Sequence, residues 1–194
     1  MKKIEIQGKR NQDKMKQLDD PNAVIERKNQ SKQRKVIPDE FYTTDQSLTL
    51  DMLKAYVADQ SIGISYTDVN KAILSNHHQV LSMILREIEG KRKAYIYQDK
   101  HHNIYDPRFT VGTYYVVELL VQAEFVCHYC REICQVTYKE AMCRRQWTLD
   151  RIDNNYGHNV TNVVIACLDC NLKRGTMDAE RFRMGKQFTF RKVE

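Results

Sequence analysis

The first stretch of the chain lacks the regular apolar spacing that buried helices and strands need. Residues 1–38 are rich in Lys, Gln, Asn and Asp, and their few apolar residues follow no sustained period. Such a segment buries too little apolar surface to offset the entropy that folding removes. The pattern predicts a basic arm that is disordered, or that orders on a protein partner, and that ends at Pro38.

Residues 39–110 carry helical periodicity instead. In residues 47–60, apolar side chains recur every three or four positions, which is typical of an amphipathic helix. Thr67 stands where it can cap a short second helix. A third apolar face runs through residues 76–90, and Gly90 is expected to end that helix. The pattern therefore predicts a helical domain.

A β-hairpin is expected to complete this domain. Residues 93–98 and 103–109 are rich in β-forming side chains and flank a polar turn. Three helices followed by a hairpin resemble a winged helix, in which the third helix reads the major groove of DNA. A helical domain that packs against another protein fits the pattern equally well. Residues 36–126 carry eight Lys/Arg and twelve Asp/Glu, a balance that disfavours phosphate contacts.

The third predicted region, residues 111–194, begins with an apolar helix over 111–125 that leads into two Cys-x-x-Cys pairs. Two such pairs are a strong signal for a tetrahedral zinc site. The predicted structural zinc ligands are Cys127, Cys130, Cys167 and Cys170. The remaining thiols, Cys134 and Cys143, are interpreted as buried or idle.

Two observations favour a metal rather than disulfides. No apolar run reaches the eighteen or so residues of a membrane-spanning helix, and the first residues lack an apolar signal-peptide core. We therefore expect an intracellular protein, in the cytoplasm, the nucleus or a viral or phage setting. Cysteines in such compartments bind metals more often than they form disulfides.

The residues between the cysteine pairs predict a strand, a loop, a second strand and a helix. WTLDRID and NVVIAC are short β-rich runs, NNYGHNVTN is a loop, and LDCNLKRG starts a helix. This order describes a ββα-metal unit. With the helical region before it, the chain is predicted to have an α+β fold.

TLDRIDNNYGH and TNVVIACLDCNLKRG resemble the HNH endonucleases, in the form where cysteine pairs bracket the motif. The resemblance covers residues 127–182. It implies that Asp150 and Asn171 bind a catalytic divalent metal, Mg²⁺ or Mn²⁺, whose hard oxygen ligands they would supply. It also implies that Asn162 pins the loop that carries the general base.

One motif position departs from the family pattern. The family has a histidine after the aspartate as general base, whereas this chain has Arg151, and a guanidinium cannot accept a proton. Three interpretations stay open. Arg151 clamps the phosphate while His158, or less favourably Asp153, activates water; metal-bound hydroxide suffices at a reduced rate; or the site is inactive and the module binds without turnover.

Basic residues after the second cysteine pair suggest the substrate. Lys173, Arg174, Arg181 and Arg183 are predicted phosphate contacts, although a solvated helix face explains them too. The sequence therefore predicts a metal-dependent HNH-type endonuclease that hydrolyses DNA phosphodiester bonds. The alternative is a catalytically degenerate zinc module with a nucleic-acid-binding or structural role, for example in a virus or phage.

Overall fold

Five helices and one two-stranded sheet make up the part of the chain that the computed structural model describes, residues 42, 45–60, 77–140 and 142–188. In chain order they are α1 (Gln46–Gln60), α2 (His78–His101), α3 (Thr113–Gln122), β1 (Trp147–Arg151), β2 (Val163–Cys167), α4 (Leu168–Arg174) and α5 (Ala179–Gln187). The fold is therefore α+β, as predicted. The predicted arm, the helix expected after Thr67 and the C-terminal tail beyond residue 188 lie outside the described residues.

Helices α1, α2 and α3 pack against one another through their apolar faces. The face predicted on α2 is confirmed, because its apolar residues recur every three or four positions and are buried. The core residues of the three helices are Met52, Leu53, Leu81, Ile84, Ile88, Val116, Val117 and Leu120. All described elements belong to one compact unit, Pro38–Glu194, which includes both sides of the predicted boundary at residue 110.

The predicted hairpin is wrong, because α2 continues through Gly90 and ends only at His101. A glycine inside a helix costs about 1 kcal/mol, which the surrounding helix formers and tertiary packing outweigh. Tyr95 shows why the β-rich segment is helical: its Oη accepts a hydrogen bond from the Leu149 N–H, 3.1 Å away. Without the hairpin there is no wing in this segment, and the winged-helix interpretation fails.

Strands β1 and β2 pair antiparallel, with Trp147 opposite Cys167 and Asp150 opposite Val164. Both strands are buried along nearly their whole length, because helices cover the sheet. Helix α4 follows β2 without a connecting loop and packs on both strands, while α3 packs on β2. The predicted strand, loop, strand and helix are thus present. No described helix is long and apolar enough to cross a membrane.

The loop between the strands is docked on the end of α2. A Cβ added to Gly157 would lie 2.7 Å from the Ile104 carbonyl oxygen and 2.8 Å from a carboxylate oxygen of Asp99. Only a residue without a side chain permits this approach. Val111 N–H adds a 3.0 Å hydrogen bond to the His158 carbonyl. The loop is therefore held by residues that precede the cysteine pairs.

We predict that Gly157→Ala destabilises the protein by about 1–3 kcal/mol, since the methyl group would overlap backbone and carboxylate atoms. Gly90→Ala is the matched control, because a Cβ there meets no atom within 4 Å. It should stabilise α2 by roughly 0.5–1 kcal/mol. Urea unfolding of both variants measures the difference, and equal stabilities would contradict the tight docking at Gly157.

Candidate functional site

Four thiols converge where the turn after α3 meets the junction of β2 and α4. The Sγ atoms of Cys127, Cys130, Cys167 and Cys170 all lie within 4.8 Å of one another. The Cys130 and Cys167 sulfurs are 3.9 Å apart. A tetrahedral zinc ion with Zn–S bonds of about 2.3 Å separates its sulfurs by about 3.8 Å. The predicted cysteine set therefore forms a cluster that could hold a metal such as zinc.

Local backbone geometry shapes this cluster. Arg131 has a left-handed φ of 62°, and its N–H donates to the Cys127 carbonyl, which closes the turn between the first two thiols. The Cys167 N–H donates to Cys127 Sγ at 3.3 Å. Hydrogen bonds from the Cys134 and Cys167 thiols hold the pKa of Cys127 well below its usual range. The hydrogen bond to Cys127 raises the pKa of Cys167, and burial raises the pKa of Cys170. Thiolate is the form that binds metals, so metal binding would release protons from these two thiols.

Asp150 is buried at the end of β1, and three donors bind its carboxylate. The Tyr129 hydroxyl donates to Oδ2 at 2.6 Å. The Arg174 guanidinium donates to both oxygens, from Nε at 2.7 Å and from Nη2 at 3.0 Å. Tyr129 lies between the first two cysteines in sequence, so the cysteine turn also positions Asp150. Burial, with the bond to Asp150, raises the pKa of Tyr129 above its usual value.

Arg174 was predicted to contact DNA phosphates, but its side chain is buried inside the protein. Its side chain is 1 % exposed, and it donates to Asp150, to the carbonyls of Met177 and Arg151, and to Asn154 Oδ1. The guanidinium ties the end of α4 to β1 and the following loop. A DNA phosphate cannot reach it in this conformation, so it is not retained among the phosphate contacts.

Asn171 lies at the same interface between α4 and β1. Its side-chain amide donates to Thr148 Oγ1 at 3.1 Å and to the Leu149 carbonyl at 3.4 Å. Thr148 and Asp150 are two residues apart in a strand, so their side chains share one face. Asp150 and Asn171, the predicted ligands of the catalytic metal, therefore both lie at the interface between β1 and α4.

Asn162 binds the loop between the strands through both the oxygen and the nitrogen of its side-chain amide. Its Oδ1 accepts from the Asp153 N–H at 3.0 Å, and its Nδ2 donates to the Asp153 and Gly157 carbonyls at 3.0 Å each. Asn162 thus joins the start of the loop at Asp153 to its middle at Gly157. Asp153 itself accepts a hydrogen bond from the Asn155 N–H at 2.9 Å, which fixes the start of the loop.

Arg151 and His158 meet at Asp99, a fully buried residue of α2. The Asp99 carboxylate lies 2.8 Å from His158 Nδ1 and accepts from the His158 N–H at 2.7 Å. Arg151 Nη1 is 3.9 Å from the same carboxylate and has no hydrogen bond, although it is buried. The His158 ring also packs on Tyr95, with centroids 4.4 Å apart. His158 is therefore anchored to α2, and it is 4 % exposed.

Sequence reasoning missed Asp99 and Tyr129. Asp99 stood in the supposed hairpin turn, and no local pattern connects it with His158, fifty-nine positions later. Tyr129 was visible inside the first Cys-x-x-Cys pair. A tyrosine inside a Cys-x-x-Cys pair is expected to be buried, and a buried tyrosine hydroxyl needs a polar partner. That requirement is the signal that could have identified Tyr129.

The remaining predicted phosphate contacts lie on or near the surface. Lys173 forms an ion pair with Asp169 at 2.6 Å, and Arg183 forms one with Glu180 at 2.7 Å. Within the described residues, the Arg181 guanidinium has no ion pair, and its backbone N–H donates to the Asp178 cap of α5. Exposed ion pairs contribute little free energy, so a phosphate could replace either carboxylate.

We expect one zinc ion per folded chain and its loss in Cys170→Ser. Structural zinc contributes an apparent binding free energy of about 10–16 kcal/mol, so this variant should melt far below the wild type. Cys143→Ser is the control, because its thiol lies outside the cluster and donates to Gln135. Elemental analysis and thermal unfolding measure both effects. Full stability without bound metal would refute a structural metal.

We also predict that Tyr129→Phe destabilises the protein by about 1–3 kcal/mol, since it leaves a buried carboxylate with one donor fewer. Tyr97→Phe removes the same hydroxyl from a side chain that is 74 % exposed, so its effect should be near zero. Chemical denaturation of the two variants tests the pair. Similar midpoints for both would mean that the Tyr129 bond to Asp150 contributes nothing to stability.

No family model matches this chain, and no curated protein or solved structure matches it. The resemblance to HNH nucleases therefore rests on the motif residues of the sequence, and the structure adds the cluster of four thiols.

Proposed function

We propose that this protein is a metal-dependent HNH-type endonuclease that hydrolyses DNA phosphodiester bonds. The observation that carries the proposal is that Asp150 and Asn171 both lie at the β1–α4 interface, and that α4 also carries Cys170 of the four-thiol cluster. An acid and an amide on one face of a short strand–helix unit are the ligand types that a hard divalent cation prefers. The loop pinned by Asn162 borders the same unit.

Two metals have separate roles in this proposal. Zinc in the four thiols is structural, because a two-stranded sheet and a seven-residue helix bury too little surface to hold themselves together. The Asp150 carboxylate and the Asn171 amide oxygen fit Mg²⁺ or Mn²⁺ by donor type. Such an ion, when bound, neutralises charge on the phosphate. The Arg174 guanidinium binds the Asp150 carboxylate in this structure, so it must move away before a metal ion can bind there.

His158 is the proposed general base. This role requires the attacking water to lie at the end of β1, because the ring is held on the α2 side of the strand while Asp150 faces α4. The Asp99 carboxylate lies against Nδ1, which fixes the ring and leaves Nε2 as the nitrogen that can accept a proton. Arg151 stays protonated and supplies positive charge at the strand end. If the imidazole serves this role, His158→Ala should slow cleavage by about 10²–10⁴-fold.

The proposed partner is DNA, reached through the exposed cations that follow the site. Lys173, Arg181 and Arg183 lie on α4 and α5, close in sequence to Asn171, so they can contact the backbone on either side of the scissile bond. Such contacts provide affinity without reading sequence. A protein partner bound through the N-terminal arm belongs to the same proposal.

A catalytically degenerate module that binds nucleic acid is the second candidate. The contact that favours it is the buried pair of Asp150 and Arg174, which satisfies the carboxylate without a metal. Arg151 in place of a histidine favours it as well. This candidate predicts salt-sensitive DNA binding without cleavage.

Nicking of supercoiled plasmid with Mg²⁺ or Mn²⁺ tests the proposal. The wild type should nick, while Asp150→Asn and Asn171→Ala should show no activity above background because each removes a proposed metal ligand. Asn155→Ala is the control, since this exposed amide lies in the same loop but outside the ligand pair. Zinc content and circular dichroism establish that each variant is folded. A wild type that binds DNA but never nicks would select the second candidate.

A further inference from the structure

The Nη2 atom of Arg174 lies inside a group of three oxygen acceptors. Asp150 Oδ1 is 3.0 Å away, the Arg151 carbonyl oxygen 2.6 Å and Asn154 Oδ1 2.9 Å. The group combines a carboxylate, a backbone carbonyl and a side-chain amide. These are the ligand types that hard cations such as Ca²⁺, Mg²⁺ and Mn²⁺ bind in proteins. The guanidinium thus lies where oxygen ligands for a cation converge.

The pair between Arg174 and Asp150 is buried on both sides, with side chains 1 % and 6 % exposed. Removing one partner of such a pair leaves a buried charge without compensation, which is strongly unfavourable. A cation that replaces the guanidinium restores the compensation. The guanidinium and a divalent cation therefore compete for the Asp150 carboxylate, because both bind through its lone pairs. The Tyr129 hydroxyl already occupies part of Oδ2, so fewer lone pairs remain for either.

We infer that Arg174 is an internal cation that sets the divalent-metal affinity of this site. In its bound position the guanidinium closes the oxygen group formed by Asp150, Arg151 and Asn154. A metal ion enters only when the side chain withdraws. This inference deepens the proposed function, on which it rests for any catalytic consequence, and it adds Asn154 and the Arg151 carbonyl to the ligands that the motif implies.

A consequence is that metal entry loosens α4. Nη1 of Arg174 donates to the Met177 carbonyl, and Nη2 bridges to the loop after β1, so withdrawal of the side chain releases the helix end from both. Metal binding and the Arg174 link between α4 and β1 are then mutually exclusive in the wild type, while Asn171 still joins the two elements. In a variant without the guanidinium, a bound metal ion instead stabilises the site, because it compensates the charge of the buried Asp150 carboxylate.

Mn²⁺ binding followed by electron paramagnetic resonance tests the inference on zinc-loaded full-length protein. Arg174→Met should bind Mn²⁺ at least about tenfold more tightly than the wild type, since the competitor is gone. Its melting temperature should rise with Mn²⁺ more than that of the wild type. Adding Asp150→Asn to this variant should abolish the gain. Arg183→Met is the matched control, because it removes the same charge from an exposed ion pair.

Arg174→Gln serves where the methionine variant fails to fold, as it keeps an amide donor toward Asp150. The Nε–H signal of Arg174 in nitrogen-15 spectra of the wild type gives an independent measure of the bond to Asp150. This signal should weaken as Mn²⁺ or Mg²⁺ binds, because the side chain then leaves the carboxylate. Two results would overturn the inference. One is an equal Mn²⁺ affinity in the wild type and the Arg174 variants, and the other is metal bound at Asp150 while the Arg174 Nε–H signal stays unchanged. Tighter Mn²⁺ binding without plasmid nicking would uphold it while the proposed endonuclease fails.

Discussion

The convergence of four thiols is the constraint on which the rest of the module depends. Cys127 and Cys130 come from the turn after α3, and Cys167 and Cys170 come from the β2–α4 junction. Two five-residue strands would not remain paired in water by themselves. The four-thiol cluster joins the turn after α3 to the end of β2 and the start of α4, and a metal bound there would fix the direction in which α4 leaves the sheet. That direction determines which side chains meet at the end of β1.

Two buried ionic networks flank the end of β1. Successive strand residues point to opposite faces, so Asp150 faces α4 while Arg151 faces α2. On the first face the Asp150 carboxylate meets Arg174, and on the second Arg151 and His158 meet Asp99. Each network joins the strand end to an element that is distant in sequence. A shift of α4 away from β1 would therefore leave the buried Asp150 carboxylate without its cation unless another cation replaces it.

Sequence patterns identified what depends on local spacing. The cysteine pairs, the strands and the face of α3 follow from side-chain periods within a few residues, so they were predictable. The error lay in residues 93–103, where tyrosines suggest strand but contacts to Leu149 and His158 keep Tyr95 helical. That error hid Asp99. The burial of Arg174 was also beyond prediction, because it depends on the direction that the thiol cluster gives to α4.

Arg151 in β1 and Arg174 in α4 both lie near the end of β1. Neither guanidinium can accept a proton from water, so the role of these two side chains is electrostatic. Arg151 lies near a carboxylate at 3.9 Å, a distance too long for a hydrogen bond, whereas Arg174 makes two short bonds to its carboxylate. The two guanidinium groups are thus held with different strengths. Arg151 Nη1 is buried without a hydrogen bond within the described residues, while Arg174 donates to Asp150, Asn154 and the carbonyls of Arg151 and Met177. Positive charge at the strand end therefore compensates two buried carboxylates, Asp150 through direct hydrogen bonds and Asp99 at a longer distance.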